Sequence, residues 1–277
     1  MRAPSSLLAV ASAALAVTAV VLAVGLAHSA QATTVALPPV NGQFDYQIGG
    51  AYPPSASVSI VDRDRKANPA PGKYNICYVN AFQSQPDEGS FWKTKHPDLL
   101  VKNDNGGFLV DPGWPDEYLF DTSTAENRAA IAQIVNGWID GCSAKGFQAI
   151  EADNLDSWSR SLDNMSQPDN VALAKLLTVH AHSKGLAIGQ KNNAEVASIG
   201  RSKIGFDFAM AEECQLYSEC GRYTRGYGNN VIEIEYTDND RSAYTKACAT
   251  QGKNISVILR DRDVVAKGQS AYRYEYC

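Results

Sequence analysis

The sequence has few of the motifs that indicate metal, nucleotide or nucleic-acid chemistry. None of its six cysteines lies in a Cys-x-x-Cys pair or in a paired Cys/His spacing, which argues against zinc. It has no basic run with interleaved aromatic residues, so nucleic acid is a poor partner. The stretch Ile48-Gly49-Gly50-Ala51 lacks the glycine spacing of a phosphate-binding loop. We therefore predict no metal and no other cofactor.

Apolar runs of membrane length are scarce, and the single one lies at the N-terminus. Arg2 supplies a positive start, residues 7–27 are uncharged and apolar, and Ala30-Gln31-Ala32 offers small residues for cleavage. We expect residues 1–32 to be a signal peptide and the mature protein to be secreted, without stable membrane insertion. An uncleaved anchor is the alternative, because the run could span a bilayer. Residues 33–43, with Pro38 and Pro39, are expected to form a tether.

All six cysteines lie beyond the predicted signal peptide, and an even number in an exported chain indicates three disulfides. Six cysteines allow about fifteen connectivities. Cys214 and Cys220 are close enough to close a tight loop beside Glu212. Cys248 with Cys277 would hold the C-terminus, which leaves Cys77 for Cys142; these last two pairings stay open.

The chain is mildly acidic, with 25 lysines and arginines against 30 aspartates and glutamates. Without Arg2 the mature balance is 24 against 30, a net charge of −6. A cationic or neutral substrate therefore suits the protein better than an anionic one.

Segments of strand length alternate with segments of helical periodicity, which predicts the α/β class. Apolar residues recur at helical spacing over residues 125–143 and 171–184, and Gly146 and Gly185 end these two helices. A doubly wound sheet and a closed barrel are both compatible with this alternation. Polar residues at the C-terminal ends of nearly all strands favour a single (β/α)8 TIM barrel over residues 44–277. The predicted strands are residues 45–48, 74–79, 147–150, 186–188, 206–210, 231–234 and 255–259.

Carboxylates recur at three of these strand ends. Glu151, Asp153 and Asp156 follow the apolar segment 147–150, and Glu212 and Glu235 end two later strands. A solvated loop or a helix cap would explain one such acid but not the recurrence. The pattern predicts one shared site at the mouth of the barrel.

Several short motifs follow one another in a specific order along the chain. They are Tyr46–Gly50 at the first strand, Ile76–Ala81 at the second, Trp114 with Glu117 and Asp121, Glu151–Asp156, Gly189–Asn192, Ala211–Cys214 with Glu219-Cys220, and Ile234–Tyr236. Their order resembles the endo-α-1,4-polygalactosaminidase family of glycoside hydrolases, family 114. This chain departs from the commonest pattern at Phe44, Ala152 and Glu213. The resemblance implies a (β/α)8 barrel acting on an α-linked galactosaminoglycan rich in unacetylated galactosamine, a polycation.

Glycoside hydrolysis needs two carboxyl groups, and Asp153 and Glu212 are the predicted catalytic pair. Asp153 suits the nucleophile and Glu212 the acid/base, although these roles could be exchanged. Glu151 could instead be an interior group paired with Lys191, and Tyr46 and Tyr78 could be core residues. The predicted substrate-binding residues are Asp45, Tyr46, Gln47, Tyr78, Asn80, Glu151, Asn154, Asp156, Lys191, Asn192, Glu235 and Tyr236.

Two other charged motifs have structural explanations. The alternating charges of Arg260-Asp261-Arg262-Asp263 predict a salt-bridged barrel rim instead of a hard-metal loop. His180 and His182 lie two apart on a helix and cannot face one ligand together.

Two other functions remain possible at this point. One is a non-catalytic carbohydrate-binding barrel at the cell surface, which would have no use for two acids placed for proton transfer. The other is a hydrolase of a different α-galactoside or of an exopolysaccharide. In each case we expect a monomer whose partner is a polysaccharide.

Overall fold

Parallel β-strands form the wall of a barrel. The computed structural model describes residue 1 and residues 35–277, so the predicted signal peptide, apart from Met1, lies outside the described residues. Eight parallel strands pair in sequence order, and a ninth pairs antiparallel with the eighth. They are β1 (Phe44–Tyr46), β2 (Ile60–Asp64), β3 (Tyr74–Asn80), β4 (Ala149–Asp153), β5 (Ala187–Lys191), β6 (Phe208–Glu212), β7 (Val231–Tyr236), β8 (Ser256–Arg260) and β9 (Tyr274–Tyr276).

Helices cover the outside of the barrel from β3 onward. The α-helices are α1 (Gly89–Lys95), α2 (Ala125–Lys145), α3 (Gln167–Ser183), α4 (Ala197–Ile199), α5 (Cys220–Tyr227) and α6 (Ser242–Thr250). Short 3-10 turns span Pro86–Glu88, Pro97–Leu99, Ser157–Arg160 and Ala194–Val196, and Gly200–Ile204 is a π-helical turn. Every connection from β3 to β8 therefore carries a helix, which is the crossover that parallel strands need.

The ends of the two long helices are encoded locally. The Thr124 side chain accepts a hydrogen bond from the Asn127 backbone N–H at 3.1 Å, which caps the start of α2. Gly146 ends this helix in the left-handed conformation, with φ 90°, which glycine adopts without strain. At the start of α3, Ser166 and Asp169 form a reciprocal capping box.

Side chains alternate between the barrel interior and the helix-covered face along each strand. On β4, Ala149 packs in the interior cluster, whereas Ile150 and Ala152 pack beneath the helices. The same alternation turns Glu151 and Asp153 inward. The interior cluster includes Phe44, Tyr46, Ile60, Ile76, Ala149, Ala187, Phe208, Met210, Ile232, Ile234 and Ile258.

The barrel closes through side chains where β1 meets β8. In the described residues these two strands share no backbone ladder. Instead the buried Arg260 guanidinium donates to the Tyr46 carbonyl, and Ser256 Oγ donates to the Gly42 carbonyl at 2.7 Å. On β9, the Tyr274 hydroxyl donates to the Phe44 carbonyl at 2.9 Å. The ninth strand therefore helps to hold the seam.

The predicted TIM barrel is confirmed, with two corrections to its first third. A strand at Ile60–Asp64 was not predicted, so the segment Tyr74–Asn80 is the third strand and not the second. Among the described residues, the connections from β1 to β2 and from β2 to β3 contain no helix. The two predicted helices are present as α2, which ends two residues later than predicted, and α3, which begins four residues earlier and ends one residue earlier.

The three predicted disulfides are confirmed, namely Cys77–Cys142, Cys214–Cys220 and Cys248–Cys277. Arg262 pairs with Asp238 at 3.0 Å and Arg260 with Asp261 at 3.3 Å, so the predicted salt-bridged rim is also present. None of the described helices is long and apolar enough to span a membrane.

Candidate active site

A cavity of about 460 Å³ opens at the C-terminal ends of the strands. In a parallel barrel this end collects the residues that follow each strand, which is where active sites form. Its lining contains seven carboxylates and three cations. The acids are Asp64, Asp111, Glu117, Asp153, Asp156, Glu212 and Asp263, and the bases are Arg160, Lys191 and Arg262. The mouth is therefore acidic.

One buried ammonium group holds three carboxylates together at the floor of this cavity. Lys191 is 2% exposed, and its Nζ lies 2.6 Å from Glu151 Oε1, 3.2 Å from Asp153 Oδ1 and 3.4 Å from Glu212 Oε1. Burial alone would lower the pKa of Lys191, but these three carboxylates raise it well above its usual range. The lysine is therefore charged at neutral pH.

Glu151 also lies next to another buried acid, Asp62. Asp62 on β2 and Glu151 on β4 are both fully buried. Burial raises the pKa of Asp62 well above its usual range, and the neighbouring Glu151 carboxylate raises it further. Burial raises the pKa of Glu151 as well, but the Lys191 ammonium opposes that rise. Of the two acids, Asp62 therefore holds a proton more readily, and Glu151 is the ion-pair partner of Lys191.

Each member of the predicted catalytic pair is held by neutral donors. The Tyr78 hydroxyl donates to Asp153 Oδ2 at 2.7 Å. Asn192 Nδ2 donates to Glu212 Oε2 at 2.8 Å, and the Tyr236 hydroxyl donates to Glu212 Oε1. Burial, followed by the nearby carboxylates, raises the pKa of both tyrosines well above the usual range, so the phenols stay protonated and act as donors.

The family model for glycoside-hydrolase family GH114 matches residues 25–277. The chain belongs to this family, and it is a glycoside hydrolase. A comparison with curated proteins gives no match.

Solved structures that share the fold of this GH114 chain include those of two other proteins. One is Ega3 of Aspergillus fumigatus in complex with galactosamine, at 24% identity and a TM-score of 0.68, covering 88% of this chain and 99% of that one. The other is the glycoside hydrolase domain of PelA of Pseudomonas aeruginosa, at 13% identity and a TM-score of 0.55, covering 82% and 97%. At these identities the likeness concerns the barrel itself.

Most of the predicted site residues of the GH114 chain meet at the cavity. Those that line it are Tyr46, Tyr78, Asp153, Asn154, Asp156, Lys191, Asn192, Glu212 and Tyr236. Glu151 lies one layer below, against Lys191, as the alternative interpretation of this residue expected. Asn80 is buried beside the cavity, where it accepts a hydrogen bond from Asn154 at 2.9 Å and donates to Glu117 at 2.8 Å.

Three predicted substrate-binding residues face away from the cavity of the GH114 barrel. Phe44 and Tyr46 point inward on β1, so Asp45 and Gln47 point outward. Gln47 donates to Asp45 at 2.8 Å and accepts from Arg63 at 2.9 Å, so both side chains belong to an outer polar cluster. Glu235 on β7 also faces outward, and it accepts backbone N–H groups from the loop after β6.

Sequence reasoning missed Asp62 and left Glu117 without a role. The signal for Asp62 was present, since Ile60-Val61-Asp62 repeats the apolar-to-acid pattern of β4. Burial raises the pKa of Glu117 to about 7, against the effect of hydrogen bonds from Gln83 and Asn80. A carboxyl group at the wall of the GH114 cavity can therefore change its charge near neutral pH.

The shared ammonium group generates a first prediction. Replacing Lys191 with methionine leaves Glu151 buried without its cation, and breaking a buried ion pair in this way costs about 3–5 kcal/mol in the free energy of unfolding. Adding Glu151→Gln to Lys191→Met should recover part of that loss, because it removes one uncompensated charge. Urea denaturation at pH 7 measures both effects. Lys175→Met, at an exposed position on α3, is the matched control; equal stability of Lys191→Met and wild type would contradict the argument.

Proposed function

We propose that this glycoside hydrolase is secreted and cleaves α-1,4-linked polymers rich in unacetylated galactosamine, in the interior of the chain. The acidic mouth carries the proposal, since protonated amino sugars are cations and seven carboxylates face three cations around the cavity. The galactosamine bound to Ega3, whose fold this chain shares, supports the same substrate class. Three disulfides are consistent with an exported protein.

We assign the nucleophile to Asp153 and the acid/base to Glu212. Asp153 lines the main cavity only, where it accepts a hydrogen bond from Tyr78 and pairs with Lys191. Glu212 lines this cavity and also an adjoining one, so it lies where the sugar and its leaving group would meet. An acid that protonates the leaving oxygen has to stand at that junction.

The spacing of the two carboxylates favours retention of configuration. Asp153 Oδ1 and Glu212 Oε1 lie 3.2 and 3.4 Å from the same ammonium nitrogen. Their separation cannot exceed the sum of these distances, and it reaches that sum only if the three atoms are collinear. Retaining enzymes hold their carboxyl groups about 5–5.5 Å apart and inverting enzymes about 6.5–9.5 Å apart. A covalent glycosyl intermediate on Asp153 therefore fits better than direct attack by water.

The catalytic assignment predicts loss of activity without loss of fold. Asp153→Asn and Glu212→Gln keep the size of each side chain but remove its ionisable group. Each should lower kcat on galactosamine polymer by at least about 100- to 10,000-fold, the usual contribution of positioned proton transfer. Thermal unfolding should change little. Asp263→Asn, which neutralises another carboxylate of the mouth, is the control, and substantial cleavage by either pair variant would show that the wrong acids were chosen.

Stereochemistry gives an independent test. Proton NMR during the first minutes of hydrolysis should show the α anomer of the product before mutarotation, because two inversions restore the original configuration. Initial release of the β anomer would refute a nucleophilic role for Asp153 while leaving the substrate assignment intact.

The substrate assignment predicts a dependence on charge. Unacetylated polymer should be cleaved faster than fully N-acetylated polymer, and its cleavage should weaken as salt rises, because exposed charge attraction is screened over about 8 Å at physiological ionic strength. The acetylated polymer serves as the neutral control for salt effects on the enzyme itself. Equal rates on both polymers without salt dependence would exclude a preference for the polycation.

A further inference from the structure

A second cavity, also of about 460 Å³, adjoins the first. Asp156, Asn192 and Glu212 line both cavities. The two spaces therefore meet at the carboxylate that we assign as the acid/base, and Asp153 lines only the first of them.

One wall of the second cavity is a loop that is fixed at several points. This loop joins β6 to α5, and the disulfide between Cys214 and Cys220 closes it. The buried Glu235 carboxylate accepts the backbone N–H groups of Gln215 at 3.0 Å and Leu216 at 3.4 Å. Glu235 therefore stabilises the backbone of this loop by hydrogen bonds.

The fixed loop presents an aromatic side chain to solvent. Tyr217 lines the second cavity and is 64% exposed, although the backbone on either side of it is held. Exposing an aromatic ring on a rigid loop has no benefit for folding, since its burial would be favourable. A pyranose ring has an apolar face that can cover such a side chain.

Two donors at the same cavity lack acceptors. Asn193 is 8% exposed, and its Oδ1 accepts from Gln167 at 3.2 Å, but its Nδ2 has no partner among the described residues. The indole N–H of Trp158, at the same cavity, has none in this part of the chain either. A buried donor without a partner costs about 1–3 kcal/mol. Both nitrogen atoms have almost no accessible surface, so a sugar hydroxyl would reach them only after a shift of the side chain.

The charge of the second cavity suits an amino sugar. Its lining includes Glu195 and Glu219 and, within the described residues, no lysine or arginine. Arg222 reaches both acids from outside the lining, at 3.4 and 3.8 Å, but its side chain is about half exposed, so it neutralises them weakly.

We propose that the second cavity is the subsite for the amino sugar on the leaving-group side of the cleaved bond, with Tyr217 as its aromatic platform. The proposal rests on the proposed function. Under this assignment Glu212 has a sugar on each side. An enzyme that cleaves bonds inside a polymer needs sugar-binding sites on both sides of the cleaved bond. The carboxylates of the cavity would face the ammonium group of this sugar.

Tyr217→Ala tests the assignment with two substrates. The polymer fills both cavities, whereas an aryl α-galactosaminide places only an aryl group beyond the cleaved bond. Tyr217→Ala should lower kcat/KM on unacetylated polymer at least about tenfold more than on the aryl glycoside, which corresponds to about 1.4 kcal/mol of transition-state stabilisation. Tyr217→Phe keeps the ring and should keep most of the polymer activity.

Phe91→Ala is the matched control, because Phe91 is a 42% exposed aromatic residue that lines neither cavity. It should leave both activities unchanged. Equal losses on the two substrates for Tyr217→Ala, or no loss on either, would overturn the subsite while the proposed function stood. If wild-type protein cleaves neither galactosamine substrate, the proposed function itself fails and the subsite falls with it.

Discussion

The arrangement of the site depends on a single buried cation. Lys191 contacts carboxylates from two other strands, β4 and β6, and each of these acids would repel the others without it. Removing charges from water is costly, and a buried ammonium is tolerated only where opposite charges and hydrogen bonds surround it. The cation therefore fixes the relative position of Asp153 and Glu212, because neither can move away without leaving the lysine with fewer partners.

The barrel interior below the lysine explains why this charge can lie so deep. Small residues on β4 and β5 leave room for large ones on their neighbours: an added Cβ at Gly189 would lie 2.7 Å from the Phe208 ring. Phe208 therefore fills the layer beneath Lys191 and seals it from below. Tyr46 completes the enclosure, since its hydroxyl lies 3.1 Å from the ammonium and donates to Glu151 at 2.9 Å. The apolar layer and the charged layer thus support one another.

The sequence predicted the later strands, their acids and the disulfides because long apolar segments end in several carboxylates there. It failed on the first third of the barrel for two physical reasons. Strand β2 carries Asp62, Arg63 and Asp64 in five residues, so its apolar signal is short although its first residues are buried. Strand β1 has three residues, too few for the two-residue alternation to reveal which of Asp45 and Tyr46 points inward. Side-chain direction there was settled by packing against the rest of the barrel.

The two proposed roles differ in how each acid is enclosed. The Asp153 side chain is 15% exposed and the Glu212 side chain 24%, and Glu212 alone of the two borders both cavities. Each acid contacts the Lys191 ammonium and a phenol donor, so these contacts do not separate the two roles. An acid/base must exchange its proton with a leaving oxygen and then with water, so access from two sides helps Glu212. The longer Glu212 side chain, at the junction of the two cavities, therefore suits the acid/base role. The shorter Asp153 side chain, which lines the first cavity only, suits the nucleophile.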